Sequence, residues 1–166
     1  MPVKEKLKKC FEDGERGERH KGLKKTGIHE DKIRGHILKA NKNFHAIEDF
    51  RKAGHSDWSP SAAFYSLYHL LLALLAKNGV ESRNQSCTFA FVEDMIDKGE
   101  TPLTKDDLKE IFDKEVKENL EHSDKILDLR EIAQYSTKTS MEDEEFERMK
   151  NKTKVLFDKI KKEVEK

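Results

Sequence analysis

Asp57-Trp-Ser-Pro-Ser-Ala-Ala-Phe-Tyr-Ser-Leu-Tyr-His-Leu-Leu-Leu-Ala-Leu-Leu-Ala-Lys77 is the stretch on which the fold turns. Ser59 is placed to cap a helix, and Pro60 fits its first turn, where a missing N–H costs nothing. From Ala62 to Ala76 every face is apolar, interrupted only by Ser66 and His69. A helix that is apolar all round is either a membrane span or the centre of a bundle. This run is about 15 residues, short of the roughly 20 that cross a bilayer, so it predicts the central helix of a bundle.

The rest of the composition agrees with a helical core. At 166 residues the chain has the length of one domain and enough material to bury a core. Only 3 prolines and 8 glycines accompany abundant Lys, Glu and Leu, which favours an all-α protein. Charged residues make up 40% of the chain, and 33 bases balance 33 acids. A generic nucleic-acid binder would carry a basic excess, so any RNA or nucleotide site here has to be local. Cys10 and Cys87 have no metal-type spacing and are expected as thiols in a reducing compartment. The N-terminal segment is charged and has no apolar run, which predicts no signal peptide, a cytoplasmic location and no membrane association.

Outward from the central helix, the pattern predicts a short amphipathic helix over Val3–Phe11. A mobile or loosely packed connection with four glycines should follow over Glu12–Gly27. The division expected is 1–27 as a short helix and connection, and 28–166 as the bundle. A helix over His29–Ala53 carries Ile33, Ile37, Ala40, Phe44 and Ile47 near helical spacing. The central helix stops at Asn78-Gly79, and a shorter helix runs over Ser86–Asp97. Thr104 caps a long helix expected over Asp106–Ala133. A last helix starts near Ser140, with Asp143 placed for a capping-box contact. Its apolar stripe is Phe146, Met149, Thr153, Leu156, Phe157, Ile160 and Val164. No internal repeat and no strand pattern are seen.

Arg130 is the sharpest chemical candidate. Projecting the long helix at about 100° per residue gathers Leu108, Phe112, Val116, Leu120, Ile126, Leu127 and Ala133 into one stripe. Arg130 falls on that stripe in line with Phe112, and Asn119 and Ser123 project onto it as well. An arginine facing a core is either paired or at a wet cleft, because burying its charge alone is prohibitive. If the helix instead breaks before residue 130, Arg130 is a surface ion-pair partner. On the central helix, Ser61, Tyr65 and His69 share a face at successive i, i+4 positions. They can line a polar groove against Arg130, within one subunit or across a dimer. Otherwise His69 is a core histidine satisfied by a backbone or hydroxyl group. His122 projects to the edge of the long-helix stripe. His20, His29, His36, His45 and His55 are scattered among charges, so neither a metal site nor a cofactor is expected.

Trp58 to His69, the Leu-rich continuation and Lys77-Asn-Gly-Val80 together resemble the second helix of HEPN domains, small helical domains of prokaryotes. Gly22–Ala46 is similar to that family's first long helix with its basic lead-in, and Leu127–Tyr135 to the end of its penultimate helix. The resemblance is closest to the single-domain branch related to the toxins of HEPN/nucleotidyltransferase pairs. It implies an antiparallel up-and-down bundle of four or five helices, here with an extra N-terminal helix, and a homodimer.

In many relatives an arginine is followed by a histidine, and the pair forms a metal-independent ribonuclease site. The histidine serves proton transfer and the arginine stabilises developing phosphate charge. Here the window after Arg130 holds Tyr135, Ser136 and Thr137, with no histidine. Tyrosine titrates near ~10, so Tyr135 is a poor base at neutral pH, although it can donate to a phosphate or accept a modification. Gln85 stands where relatives often have histidine.

The function implied is a HEPN-like module binding RNA or a nucleotide in a cleft near Arg130, in a toxin–antitoxin or nucleotidyltransferase setting, without the standard histidine. Two alternatives stand beside it. One is an active RNA-cleaving toxin using Arg130 with His69 or Tyr135, the other a non-catalytic structural dimer.

Overall fold

A computed structural model describes residues 2–17, 21–111 and 125–166. In chain order the elements are α1 (Val3–Glu15), β1 (Leu23–Lys25), α2 (Glu30–Lys52), a 3-10 turn (Ser56–Trp58) and α3 (Ser59–Lys77). They continue with β2 (Val80–Ser82), α4 (Gln85–Asp97), α5 (Lys105–Ile111), α6 (Ile126–Tyr135) and α7 (Asp143–Val164). The all-α class expected from the sequence holds.

α3 is the centre. α2, α4, α6 and α7 all pack on it, and Phe64, Leu67, Leu70, Leu71 and Leu75 are sealed from solvent. Each such side chain contributes about 1.5–3 kcal/mol by leaving water. The segment Ser56–Lys77 is long and apolar enough to cross a bilayer, yet 72% of its apolar window lies inside the bundle. Ser59 is not a cap: its hydroxyl donates 2.7 Å to the Ile47 carbonyl and ties the start of α3 to α2. Ile33, Ala40 and Ile47 form the buried seam of α2 at a spacing of two helical turns.

α7 buries every residue of its expected stripe, from Phe146 to Val164. It begins at Asp143 rather than near Ser140, and no side chain caps it. Thr104 caps α5 as expected: it accepts from the Asp107 amide at 3.1 Å, and its own amide donates to the Asp107 carboxylate at 2.9 Å. At α4 the cap is Asn84, whose side chain accepts from the Cys87 amide at 2.9 Å.

Three expectations fail. The long helix over Asp106–Ala133 is not continuous, because Lys125 is extended and α6 starts afresh at Ile126. Phe112, Val116, Asn119, Leu120, His122 and Ser123 lie outside the described residues, as does the side chain of Leu127. A small antiparallel sheet exists where no strand was foreseen, pairing Leu23 with Ser82, Lys24 with Glu81 and Lys25 with Val80. Strands of three residues are too short to show alternation.

The third correction concerns the region before α2. Cys10 and Cys87 are joined, with a Cα–Cα separation of 5.8 Å, because α1 lies across α4. Sequence spacing carries no trace of that crossing. The connection is also tightly seated where it is described. A Cβ on Gly14 would sit 1.9 Å from the Leu23 carbonyl oxygen, and one on Gly22 would sit 2.3 Å from that of Cys10. Gly22 also has φ +78°, the left-handed region that favours glycine.

Candidate functional site

Ser61, Tyr65, His69, Leu72 and Ala76 are the positions of α3 that keep partial exposure along one stripe. Their i, i+4 and i, i+3 spacing makes this a single face, the one that the surrounding helices leave open. α6 brings Arg130 to it. The Arg130 guanidinium carbon lies 3.9 Å from the centroid of the buried Phe64 ring and 5.9 Å from that of Tyr65. Phe64 in turn meets Tyr65 edge-on at 5.1 Å and stacks on Tyr68 at 5.8 Å. The arginine therefore rests on an aromatic platform, a cation–π arrangement worth up to ~2 kcal/mol when desolvated.

The charge of Arg130 has no carboxylate partner among the described residues, and its Nε is buried without a hydrogen bond. Arg130 is half-buried and turned toward α3, although α6 starts afresh at Ile126. A positive group held on aromatic rings, with its Nε unbonded, is suited to an anion.

One turn along α3 from Tyr65, His69 meets His36 of α2. Their Nδ1 atoms are 3.2 Å apart and their rings stack at 27°. One imidazole donates and the other accepts, so the two carry complementary tautomers. His69 is thus satisfied by another histidine, a partner the sequence reading placed among scattered surface residues. The signal was there. His36 is three residues after Ile33 and four before Ala40, on the flank of the buried seam.

Burial first, then His36 and Lys39, hold the His69 ring down to about 4. Burial and then Lys39 lower His36, with Glu81 opposing. Both folded-state values lie below the ordinary value of about 6.5, so the unfolded chain takes up protons first on acidification. The stability this pair contributes is complete above pH ~6.5 and is lost as pH falls toward ~4. Urea midpoints should decline across that window and decline less in His69→Gln; equal slopes would remove the pair from the titration. Asp107 acts lower. Burial raises its pKa, but Lys159 and Thr104 outweigh that and hold it below its usual 3.8.

The other sequence candidates are placed less centrally. Tyr135 ends α6 and is 81% exposed. Five residues from Arg130 correspond to about 140° around the helix, so the two side chains point to different sides. Tyr68 is structural: its buried hydroxyl bonds Thr88 Oγ1 at 3.1 Å, and burial raises its pKa. A larger cleft of about 410 Å³ lies beside Pro60, Leu129 and Met141, but Asp57, Glu142 and Glu145 outnumber its Lys138. That balance repels a phosphate, so the anion-binding candidate is the α3 face beside Arg130. Among the described residues no three His, Cys, Asp or Glu side chains converge as metal ligands.

A helical bundle whose central helix keeps one partly open face, with an arginine set against it, is a recognisable class of small domain. The model of the HEPN domain matches residues 33–164, and the chain belongs to that family. No protein of curated function matches the sequence.

Proposed function

We propose that this chain is a HEPN module that binds the phosphate of an RNA or nucleotide in the groove between α3 and α6, with Arg130 as the anchor. The observation that carries this reading is the Arg130 guanidinium, seated on Phe64 and Tyr65 with no carboxylate among the described residues to neutralise it. Ser61 and Tyr65 line the groove beside it, and His69 closes it toward α2. The setting is a homodimer paired with a nucleotidyltransferase-type antitoxin, with exposed Tyr135 accessible to such a partner. The standard ribonuclease histidine is absent from the window after Arg130.

The test is binding of a short RNA and of ATP, GTP and their products to the purified protein, in EDTA. A ligand at about 100 times its Kd should stabilise the fold by roughly 2.7 kcal/mol. Arg130→Ala should weaken that binding about tenfold to a hundredfold, the scale of one lost charge-assisted contact. Arg130→Lys should recover only part, since a point charge does not reproduce the planar fork. Unchanged affinity in Arg130→Ala would sink the reading.

A second reading has one observation in its favour. His69 lies on the same face of α3 as Tyr65, over which Arg130 sits at 5.9 Å. A neutral imidazole there can take a proton from an RNA 2′-hydroxyl while Arg130 stabilises the phosphate. RNA cleavage in EDTA that vanishes in both Arg130→Ala and His69→Gln is its expected signature.

A further inference from the structure

We propose that His36 and His69 form a proton-coupled phosphodiester subsite that extends the Arg130 groove toward α2. The inference rests on the reading of that groove as a phosphate site and adds its second contact and its regulation. Two imidazoles from different helices meet at 3.2 Å, yet neither is sealed in the core. A small cavity opens beside His36, lined also by His29, Lys32, Glu81 and Ser82.

The charges around the pair are unbalanced. From α2, Lys39 acts on both rings and Lys32 on His36. From α3 the neighbours are Tyr65, one turn back, and the Tyr68 ring, which meets His69 at 6.2 Å. α6 contributes Arg130 over Tyr65. Among the described residues, the acid acting on His36 is Glu81 of β2, which is already shared with Lys32 at 3.7 Å and Arg83 at 3.6 Å. Burial first, and then the ammonium groups of α2, thus hold the two bases neutral.

A phosphodiester entering the groove supplies a counter-charge. Its negative oxygens offset Lys39 and favour the imidazolium forms, so binding draws in protons. Linkage then makes affinity rise as pH falls, by up to about tenfold per pH unit for each proton taken up. A purely structural histidine pair would show the opposite, since its protonation only loosens the α2–α3 contact.

The probe is an oligouridylate without terminal phosphates, because neither its phosphodiesters nor its bases titrate between pH 5.5 and 7.5. Its Kd should tighten by at least tenfold over that interval. Calorimetry of the unmodified protein in two buffers of different ionisation enthalpy should show net proton uptake near pH 6.5. The double variant His36→Gln, His69→Gln should flatten the profile, while Arg130→Ala should weaken binding at every pH and keep the slope.

Arg130-dependent binding with no proton uptake would overturn this inference and leave the groove reading intact. Binding absent at every pH would overturn both. A slope that survives in the double variant would assign the protons to other groups and end the proposal. Proton counting on the unmodified protein decides the matter even if the double variant fails to fold.

Discussion

Phe64→Ala should destabilise the protein by about 3–5 kcal/mol, a large share of the ~5–15 kcal/mol that holds a domain of this size together. Phe64 is fully buried in the second turn of α3, stacked on Tyr68 and edge-on to Tyr65. Its removal leaves a cavity whose walls are α3 and α6, and rigid helices collapse into such a space only partly. It also removes the surface on which Arg130 sits at 3.9 Å. Stability and ligand binding should therefore fall together.

Phe64→Leu separates the two effects. It keeps most of the apolar volume, at an expected cost near 1.5 kcal/mol, but offers no aromatic face to the guanidinium. A double-mutant cycle between Phe64→Leu and Arg130→Ala, read by urea unfolding, should give a coupling of at least ~0.5 kcal/mol. Additive effects would mean that the arginine is merely adjacent to the ring.

Why the platform stayed hidden in the sequence is instructive. The stripe of α7 and the extent of α3 were legible because one element's own periodicity sets its buried face. Ser61, Tyr65 and His69 were legible as one face for the same reason. Arg130 was singled out by projecting a helix that does not run unbroken through Lys125, yet it does face the core. The local pattern Ile126, Leu129, Arg130, Ala133 is sufficient, because that helix alone has a buried side at Ile126 and Leu129.

Pairings between elements were not legible. His36 against His69, Arg130 against Phe64 and Leu23 against Ser82 depend on how two helices or two strands are set against each other. Helical spacing carries no information about that offset. The family resemblance supplied the fold class, and it pointed toward a histidine after Arg130 that this chain lacks. Among the described residues, the histidine that shares a face with Tyr65 comes from the central helix instead, fixed by a neighbour outside any motif.

The Cys10–Cys87 link shows the same blindness and carries the second large expected effect. The bond spans a sequence separation of 77, so in the chain-entropy account it stabilises the fold by roughly 4 kcal/mol through restriction of the unfolded state. The loop it closes contains β1, α2, α3 and β2, the elements that carry His36, Tyr65 and His69. It also fastens α1, which precedes the family-matched residues 33–164, onto α4.

Reduction should therefore act at two levels. Globally, the urea midpoint should fall by the equivalent of about 2–4 kcal/mol, and Cys10→Ala with Cys87→Ala should show the same midpoint with or without reductant. Locally, α1 buries only Cys10 fully, and its further contacts are modest: Leu7 and Phe11 at the edge of the core, Lys25 over Phe11 at 5.6 Å, and the Lys6 ammonium on Ser86. Amides of α1 should lose hydrogen-exchange protection on reduction well before those of α2, α3 and α7, which keep their buried seams. Phosphate binding should survive, because none of Arg130, Tyr65 and His69 touches α1. Equal midpoints with two titratable thiols confirmed would show that packing of α1 against α4, and not the covalent bond, holds the N-terminal segment in place.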